Sequence, residues 1–318
     1  MSESVLEARN LSKHYGDLLA VDNLSLELRR GEVFGLLGPN GAGKTTSISM
    51  ICGLMAPDEG SVLIQGQPVR NGDAAVRARV GVCPQEVIVW EKQTCREQLE
   101  FIGAMYDVPH RLARKRSAEL LALLRLADKA DTLAATLSGG MKRRLSIALA
   151  MVHDPEILVL DEPEAGLDPQ SRVMVREMIR SLAETKTVLV TTHNMDEADR
   201  MTDRVAIIDH GRLLVLDTPE ALKRSVGEGD VMDIDVEGAS GEELVGALSA
   251  FGSAATPREN GVALRDGGVT LRGSHVVRRL PRIVDAIQGV GGRIAEVHVR
   301  ANTLEDVFIN LTGRGLRE

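Results

Sequence analysis

Aromatic side chains are scarce: one Trp, two Tyr and four Phe in 318 residues, or 2% of the chain. A folded core must therefore be aliphatic, and the 43% hydrophobic content supplies one. Cysteine is also rare. Cys52, Cys83 and Cys95 are odd in number and lack metal-ligand spacing, which argues against a disulfide framework or a zinc site and predicts reduced, packed thiols. No apolar run approaches the roughly 20 residues of a membrane span. The start, Met1-Ser2-Glu3-Ser4, has no signal-peptide pattern. Positive charge is not in excess either: 38 Lys and Arg against 46 Asp and Glu give a net charge of −8, which argues against nucleic-acid partners. These absences predict a cytosolic chain that reaches a membrane only through a partner.

Two glycine-containing runs stand out. Gly38-Pro39-Asn40-Gly41-Ala42-Gly43-Lys44-Thr45-Thr46 follows the apolar stretch Val33–Leu37 and fits the phosphate-loop pattern G-x-x-x-x-G-K-[ST]. Its glycines let backbone N–H groups turn toward β- and γ-phosphates, Lys44 adds a point charge, and the Thr45 hydroxyl can ligate Mg²⁺. About 100 residues later, Leu137-Ser138-Gly139-Gly140 reads as a turn opening a helix, whose free N–H groups would face an anion. A chain with both carries two half-sites for one nucleotide, which suggests two chains closing around ATP.

The apolar runs Val33–Leu37, Ile157–Leu160 and Thr187–Val190 read as buried parallel strands, with helical segments between them. Val205–Ile208 turns at Asp209-His210-Gly211 into Leu213–Leu216, a hairpin signal. Residues 4–28 alternate in places like strands, most clearly at Leu24, Leu26 and Leu28. Residues 96–106, with Leu99, Ile102 and Met105 on one side, and residues 111–126 predict a helical insert at about 90–155. Val226-Gly227-Glu228-Gly229-Asp230 reads as a linker between a domain at 1–225 and a second at 230–318. The second shows the order βαββαβ with a final helix, a small α+β domain for regulation or assembly, with a hairpin at Gly267-Gly268.

Strand Ile157–Leu160 ends in Asp161-Glu162. Two carboxylates there either cap the strand or act together: Asp161 toward Mg²⁺, Glu162 as the base for an attacking water. Thr191-Thr192-His193 ends another strand, and His193 either packs locally or hydrogen-bonds a γ-phosphate. Gln85, after Val80-Gly81-Val82, is a surface glutamine or a neutral amide near metal and water. Tyr15 is a core residue or a stacking surface for adenine.

Together and in this order, the motifs resemble those of the ATP-binding subunit of an ABC transporter, over residues 4–222. The resemblance implies an α/β P-loop ATPase domain with an inserted helical subdomain, followed here by the small C-terminal α+β domain. It implies Mg·ATP as ligand, residues 38–46 as phosphate loop, and Gln85 as the glutamine touching metal and water. Leu137–Met141 becomes the signature motif, with Ser138, Gly139 and Gly140 serving the nucleotide of a second copy. Asp161 becomes the metal-associated aspartate, Glu162 the catalytic glutamate and His193 the switch histidine. Gly166-Leu167-Asp168-Pro169 is the D-loop, and Tyr15 the adenine-stacking aromatic. Met141, where many importers have Gln, and the tail Thr303–Arg314 resemble drug-resistance ATPases of the daunorubicin-exporter type, which serve ABC-2 permeases. An import or non-transport ABC ATPase is the alternative.

The same resemblance places the chain on the inner face of the membrane, held by its permease. Val87, Ile88, Val89 and Trp90 form the expected permease contact, unless Trp90 packs on the helical subdomain. Glu164 stands where the family usually has Thr or Ser, and its charge is expected to press on Asp161 and Glu162. A DNA-repair ABC ATPase would need a long coiled coil between phosphate loop and signature, a ribosome factor a second cassette, and a small-molecule kinase would not need Leu-Ser-Gly-Gly.

Overall fold

The computed structural model describes residues 3–70, 74–226, 230–249, 251, 262–265, 268–273 and 276–313. The chain divides into two compact units, Met1–Leu216 and Asp217–Glu318.

The first unit holds two sheets. β1 (Ser4–Tyr15) and β2 (Leu18–Arg29) form a long antiparallel hairpin, and β1 also pairs antiparallel with β4 (Glu59–Ile64), which is followed by β5 (Gln67–Pro68). Leu24, Leu26 and Leu28 all face the core, as their alternation predicts. The second sheet has the order β10-β9-β3-β8-β7-β6. Its centre is β3 (Val33–Leu37), β8 (Thr187–Thr192) and β7 (Ile157–Asp161), flanked by β6 (Val80–Cys83), β9 (Arg204–Asp209) and β10 (Arg212–Asp217). β3 runs parallel to β8 and β9, and β7 parallel to β6 and β8. Every residue of β3, β7 and β8 is buried, as central strands covered on both faces must be.

Helices α1 (Lys44–Ile51), α2 (Ala74–Arg79), α6 (Pro169–Ala183) and α7 (Met195–Met201) connect these strands. The insert contributes α3 (Cys95–Met105), α4 (His110–Leu123) and α5 (Gly139–Leu149). α3 starts in a capping box: Thr94 Oγ1 accepts from Glu97 N while the Glu97 carboxylate accepts from Thr94 N. Leu99 is buried and Ile102 partly so, but Met105 is 65% exposed rather than on the packed side with them. It sits in the last turn of α3, beyond the reach of the packing stripe. The three cysteines are free and buried, and burial pushes the Cys52 thiol up to about 12, which keeps it protonated.

The second unit begins with α8 (Pro219–Ser225), so the division falls before that helix and not after it. α8 packs against the final helix α11 (Leu304–Thr312). Between them lie β11 (Asp230–Glu237), α9 (Gly241–Leu248), β12 (Val262–Arg265), β13 (Gly268–Gly273), α10 (Val276–Gly289) and β14 (Arg293–Arg300). The sheet order is β12-β13-β11-β14, all antiparallel, with α9 and α10 on one face over Met232, Ile234, Val269 and Leu271. This is the expected βαββαβ order. Residues 227–229 of the expected linker, and Gly267 of the expected hairpin turn, lie outside the described residues.

Candidate active site

The phosphate-loop run joins β3 to α1 at the carboxyl end of the central sheet. Gly43 precedes α1 with φ 97°, a left-handed conformation open to glycine, and a Cβ there would lie 2.5 Å from Ala20 O. Gly38 has the same need for close approach, since a Cβ would lie 2.3 Å from Ile208 O. Lys44 is buried, and its Nζ donates to the carbonyls of Gly38 (2.7 Å) and Pro39 (3.0 Å). Burial lowers its pKa below the ordinary lysine value, with Glu162 and Asp161 opposing that shift.

Above the loop lies a cavity of about 350 Å³. Asn40, Gly41, Gly43, Lys44, Thr45 and Thr46 form one wall; Tyr15, Gln85 and Glu162 contribute others. Pro39 and Gly38 serve through their carbonyls, and Ala42 is buried beneath. Tyr15 is 48% exposed, its hydroxyl 3.2 Å from Met55 Sδ, so it is a wall of the cavity and not a core residue. Leu18, Leu19, Ala20 and His210 also line the cavity and were not singled out in the sequence. For His210 a signal existed, because it ends a core strand of the same sheet in the Asp209-His210-Gly211 turn.

Glu162 follows the last residue of β7. Its Oε2 accepts from Gln85 Nε2 at 3.2 Å, and its Oε1 lies 2.9 Å from His193 Nδ1. Three residues predicted from separate strand ends therefore meet. The backbone of Glu162 is left-handed, φ 43°, which for a non-glycine residue costs about 1–3 kcal/mol. Asp161 is buried, and its Oδ1 accepts a short hydrogen bond from Thr191 Oγ1.

Thr45, Gln85 and Asp161 offer oxygen donors, the type Mg²⁺ requires, in fewer numbers than its six positions. Phosphate oxygens and water would complete the shell. Among the described residues no group of three or more His, Cys, Asp or Glu could hold a metal ion.

Ser138, Gly139, Gly140 and Asp168 do not line this cavity. Ser138 caps α5 by accepting from Met141 N at 3.3 Å. A Cβ on Gly139 would meet nothing within 4 Å, whereas one on Gly140 would lie 2.4 Å from Ser171 Oγ. Asp168 caps α6: its carboxylate accepts from Ser171 N (3.0 Å) and Ser171 Oγ (2.6 Å), which holds its pKa below the ordinary carboxylate value.

Glu164 does not behave as its position suggested. It is fully buried, and Arg176 holds it in a two-pronged pair, Nε to Oε1 at 3.1 Å and Nη2 to Oε2 at 2.8 Å. Burial raises its pKa above the ordinary value, and the like charge it faces is Glu197. The Trp90 ring packs on the helical subdomain, meeting Phe101 edge-on at 5.6 Å and 83°, while 39% of the residue stays exposed, as does 55% of Ile88.

A phosphate loop at the end of a parallel sheet, a carboxylate held over it by an amide and a histidine, and a second glycine turn on an inserted helical subdomain define an ATP-binding cassette. The sequence pattern of the family described as "ABC transporter" matches residues 21–165. The chain is 36% identical to the linearmycin resistance ATP-binding protein LnrL of Bacillus subtilis (strain 168), covering 99% of this chain and 100% of that one. It is 42% identical to the Nod factor export ATP-binding protein I of Burkholderia orbicola (strain AU 1054), covering both chains completely. Among solved structures, one titled as the ATP-binding subunit of an ABC transporter matches with a TM-score of 0.62 at 29% identity, over 69% of this chain and 92% of that one. A dimeric ATP-binding cassette in a post-hydrolysis state, bound to ADP and Pi, matches with a TM-score of 0.60 at 26% identity, over 67% of this chain and 98% of that one.

The chain belongs to the ATP-binding subunits of ABC transporters. It is accordingly an ATP-binding and ATP-hydrolysing enzyme, of a family whose members bind Mg·ATP, dimerise and pair with a membrane permease. Among the described residues no helix is long and apolar enough to cross a membrane.

Proposed function

We propose that this subunit energises export of an apolar or amphipathic compound through a separate ABC-2 type permease, as one half of a two-chain ATP clamp on the cytoplasmic face. The observation that carries the ATPase chemistry is Glu162 at the cavity wall, held by Gln85 and His193 and facing the phosphate loop. Direction draws support from the relatives named for resistance and export, which match over the whole chain. The solved cassettes above cover about two thirds of it.

In this reading, Lys44 and the loop amides hold the β- and γ-phosphates, and Tyr15 stacks on adenine. Thr45, Gln85 and Asp161 would hold Mg²⁺, which neutralises charge developing on the phosphates. Glu162 accepts the proton of the attacking water, and Gln85 and His193 keep its two oxygens fixed. Ser138, Gly139 and Gly140 of the neighbouring chain close over the γ-phosphate, which is why they stand apart from their own chain's cavity. Val87, Ile88 and Trp90 form the exposed apolar contact for the permease.

A mixed dimer tests the shared site. Lys44→Ala removes a chain's own phosphate grip, while Gly139→Asp spoils what it offers its neighbour by charge repulsion. On a Glu162→Gln background, which suppresses turnover, mixing the two variants restores one whole site per mixed dimer. Labelled ATP should then be trapped at up to one per mixed dimer, with little trapped by either variant alone. Trapping no greater than the average of the separate samples refutes the shared site. Co-purification of an ABC-2 permease, and outward transport in vesicles, tests partner and direction.

A further inference from the structure

Arg143 stands five residues after Ser138 on α5, and its side chain is almost completely buried where three segments meet. Its four partners are all main-chain carbonyls. Nη1 donates to Pro84 O (2.6 Å) and Gln85 O (3.2 Å), Nη2 to Asp161 O (2.6 Å), and Nε to Pro163 O (3.1 Å). These carbonyls belong to, or flank, Gln85 and Glu162, the amide and carboxylate that face each other across the cavity wall.

The left-handed backbone of Glu162 persists only if its surroundings hold it. The holding groups are visible. Glu162 N–H donates to Thr191 Oγ1 at 2.9 Å from the β8 side. The carbonyls of the residues before and after it are taken by Arg143 from the α5 side. The Thr191 hydroxyl and the Arg143 guanidinium thus hold the 161–162 peptide from both sides, at its N–H and its C=O, and the guanidinium also holds the carbonyl of Pro163. The same guanidinium fixes the Pro84–Gln85 segment. A planar fork with five N–H donors can span these separated acceptors, and a lysine ammonium, a single point, cannot.

We propose that Arg143 is a positioning residue for hydrolysis, setting the Glu162 carboxylate and the Gln85 amide against each other. The inference rests on Glu162 acting as the base, as proposed above. Without the fork, the Glu162 backbone relaxes toward an ordinary φ and its carboxylate leaves the productive geometry. A displacement on the order of 1 Å is expected to lower the rate about 10²-fold. The partners of Arg143 lie on the Pro84–Gln85 and Asp161–Pro163 segments and none on α1, so the phosphate grip is spared.

The test is steady-state ATP hydrolysis by the full chain carrying Arg143→Met, which keeps length and removes the donors, or Arg143→Lys. The expected result is a kcat about 10²-fold lower in Arg143→Met, a smaller loss in Arg143→Lys, and a KM for ATP within about threefold of the parent. On the Glu162→Gln background, Arg143→Met should trap labelled ATP as well as its parent does. Unchanged kcat, a loss confined to KM, or lost trapping on that background overturns the proposal. Glu162→Gln alone separates the two ideas. Wild-type turnover there removes the base reading and this one with it, whereas slow turnover there beside full turnover in Arg143→Met removes only the positioning role. Should Arg143→Met fail to fold, Arg143→Lys carries the test, and an unchanged kcat or a loss confined to KM in it is equally fatal.

Discussion

The two glycines of the signature turn make opposite demands on the chain, and single methyl groups separate them. Gly140→Ala places a Cβ 2.4 Å from Ser171 Oγ and 2.9 Å from Ser171 Cβ. Rotation of Ser171 can move the hydroxyl but not the Cβ, and it sacrifices the 2.6 Å bond by which Oγ holds the Asp168 cap of α6. Overpacking of this kind costs about 1–3 kcal/mol. For a unit the size of Met1–Leu216, that lowers Tm by roughly 2–12 °C. Gly139→Ala meets nothing within 4 Å at the first helical position, so it should be neutral or stabilising by up to about 1 kcal/mol. Yet Gly139 is the residue proposed to approach the neighbour's γ-phosphate. Gly139→Ala should therefore unfold at or slightly above the parental temperature while weakening ATP-dependent dimerisation on the Glu162→Gln background. Thermal unfolding without nucleotide and dimer formation with ATP, measured on both variants, decide the matter. Equal destabilisation by the two alanines would refute the packing argument. A Gly139→Ala protein that dimerises as well as its parent would show that no partner needs the space.

Tyr15→Ala should weaken ATP binding by about 1–3 kcal/mol, with Tyr15→Phe and Tyr15→Trp retaining most of it; equal losses in a calorimetric titration of all three would rule out stacking. In the second unit, Arg300 pairs with Asp306 and with Asp233, and holds Asp306 well below the ordinary carboxylate range against a large burial penalty. A depressed folded pKa gives stability that is present above the unfolded value, near 3.9, and lost as pH falls through the folded one. Arg300→Ala should cost about 2–3 kcal/mol at pH 7, less than a fully buried pair because the Arg300 side chain is 38% exposed. The difference from the parent should shrink as pH falls below the unfolded carboxylate value, near 3.9, toward the depressed folded one. Denaturation curves showing a constant difference from pH 7 to pH 2 would exclude the pair as its source. A chain ending at Leu216 should bind ATP with nearly parental affinity, since every cavity residue precedes that point; loss of binding in a folded fragment would mean the second unit completes the site.

The phosphate loop, the buried strands and the α+β order of the second unit were legible because each depends on a short contiguous run. A G-x-x-x-x-G-K-[ST] run shapes itself through glycine torsions and the start of a helix. A run such as Ile157–Leu160 can satisfy both faces only inside a covered sheet. The second unit followed from periodicity alone, though the boundary moved to Leu216 because α8 packs on α11, a pairing of residues some 80 positions apart that no local pattern reports.

Around the proposed catalytic carboxylate, sequence determined identity and tertiary structure determined state. Asp161-Glu162 was conspicuous beside a phosphate loop. Its left-handed backbone, its bonds to Gln85 and His193, and the grip of Arg143 and Thr191 depend on β6, β7, β8 and α5 meeting at one end of the sheet. Glu164 shows the limit most clearly. From its neighbours in the chain it looked like a repelling charge; the fold buries it against Arg176, twelve residues on, because α6 returns over the end of β7. Tyr15 and the two signature glycines follow the same logic. Residue type sets what chemistry is available, while burial and close approach, which depend on segments distant in sequence, decide which of those chemistries each side chain performs.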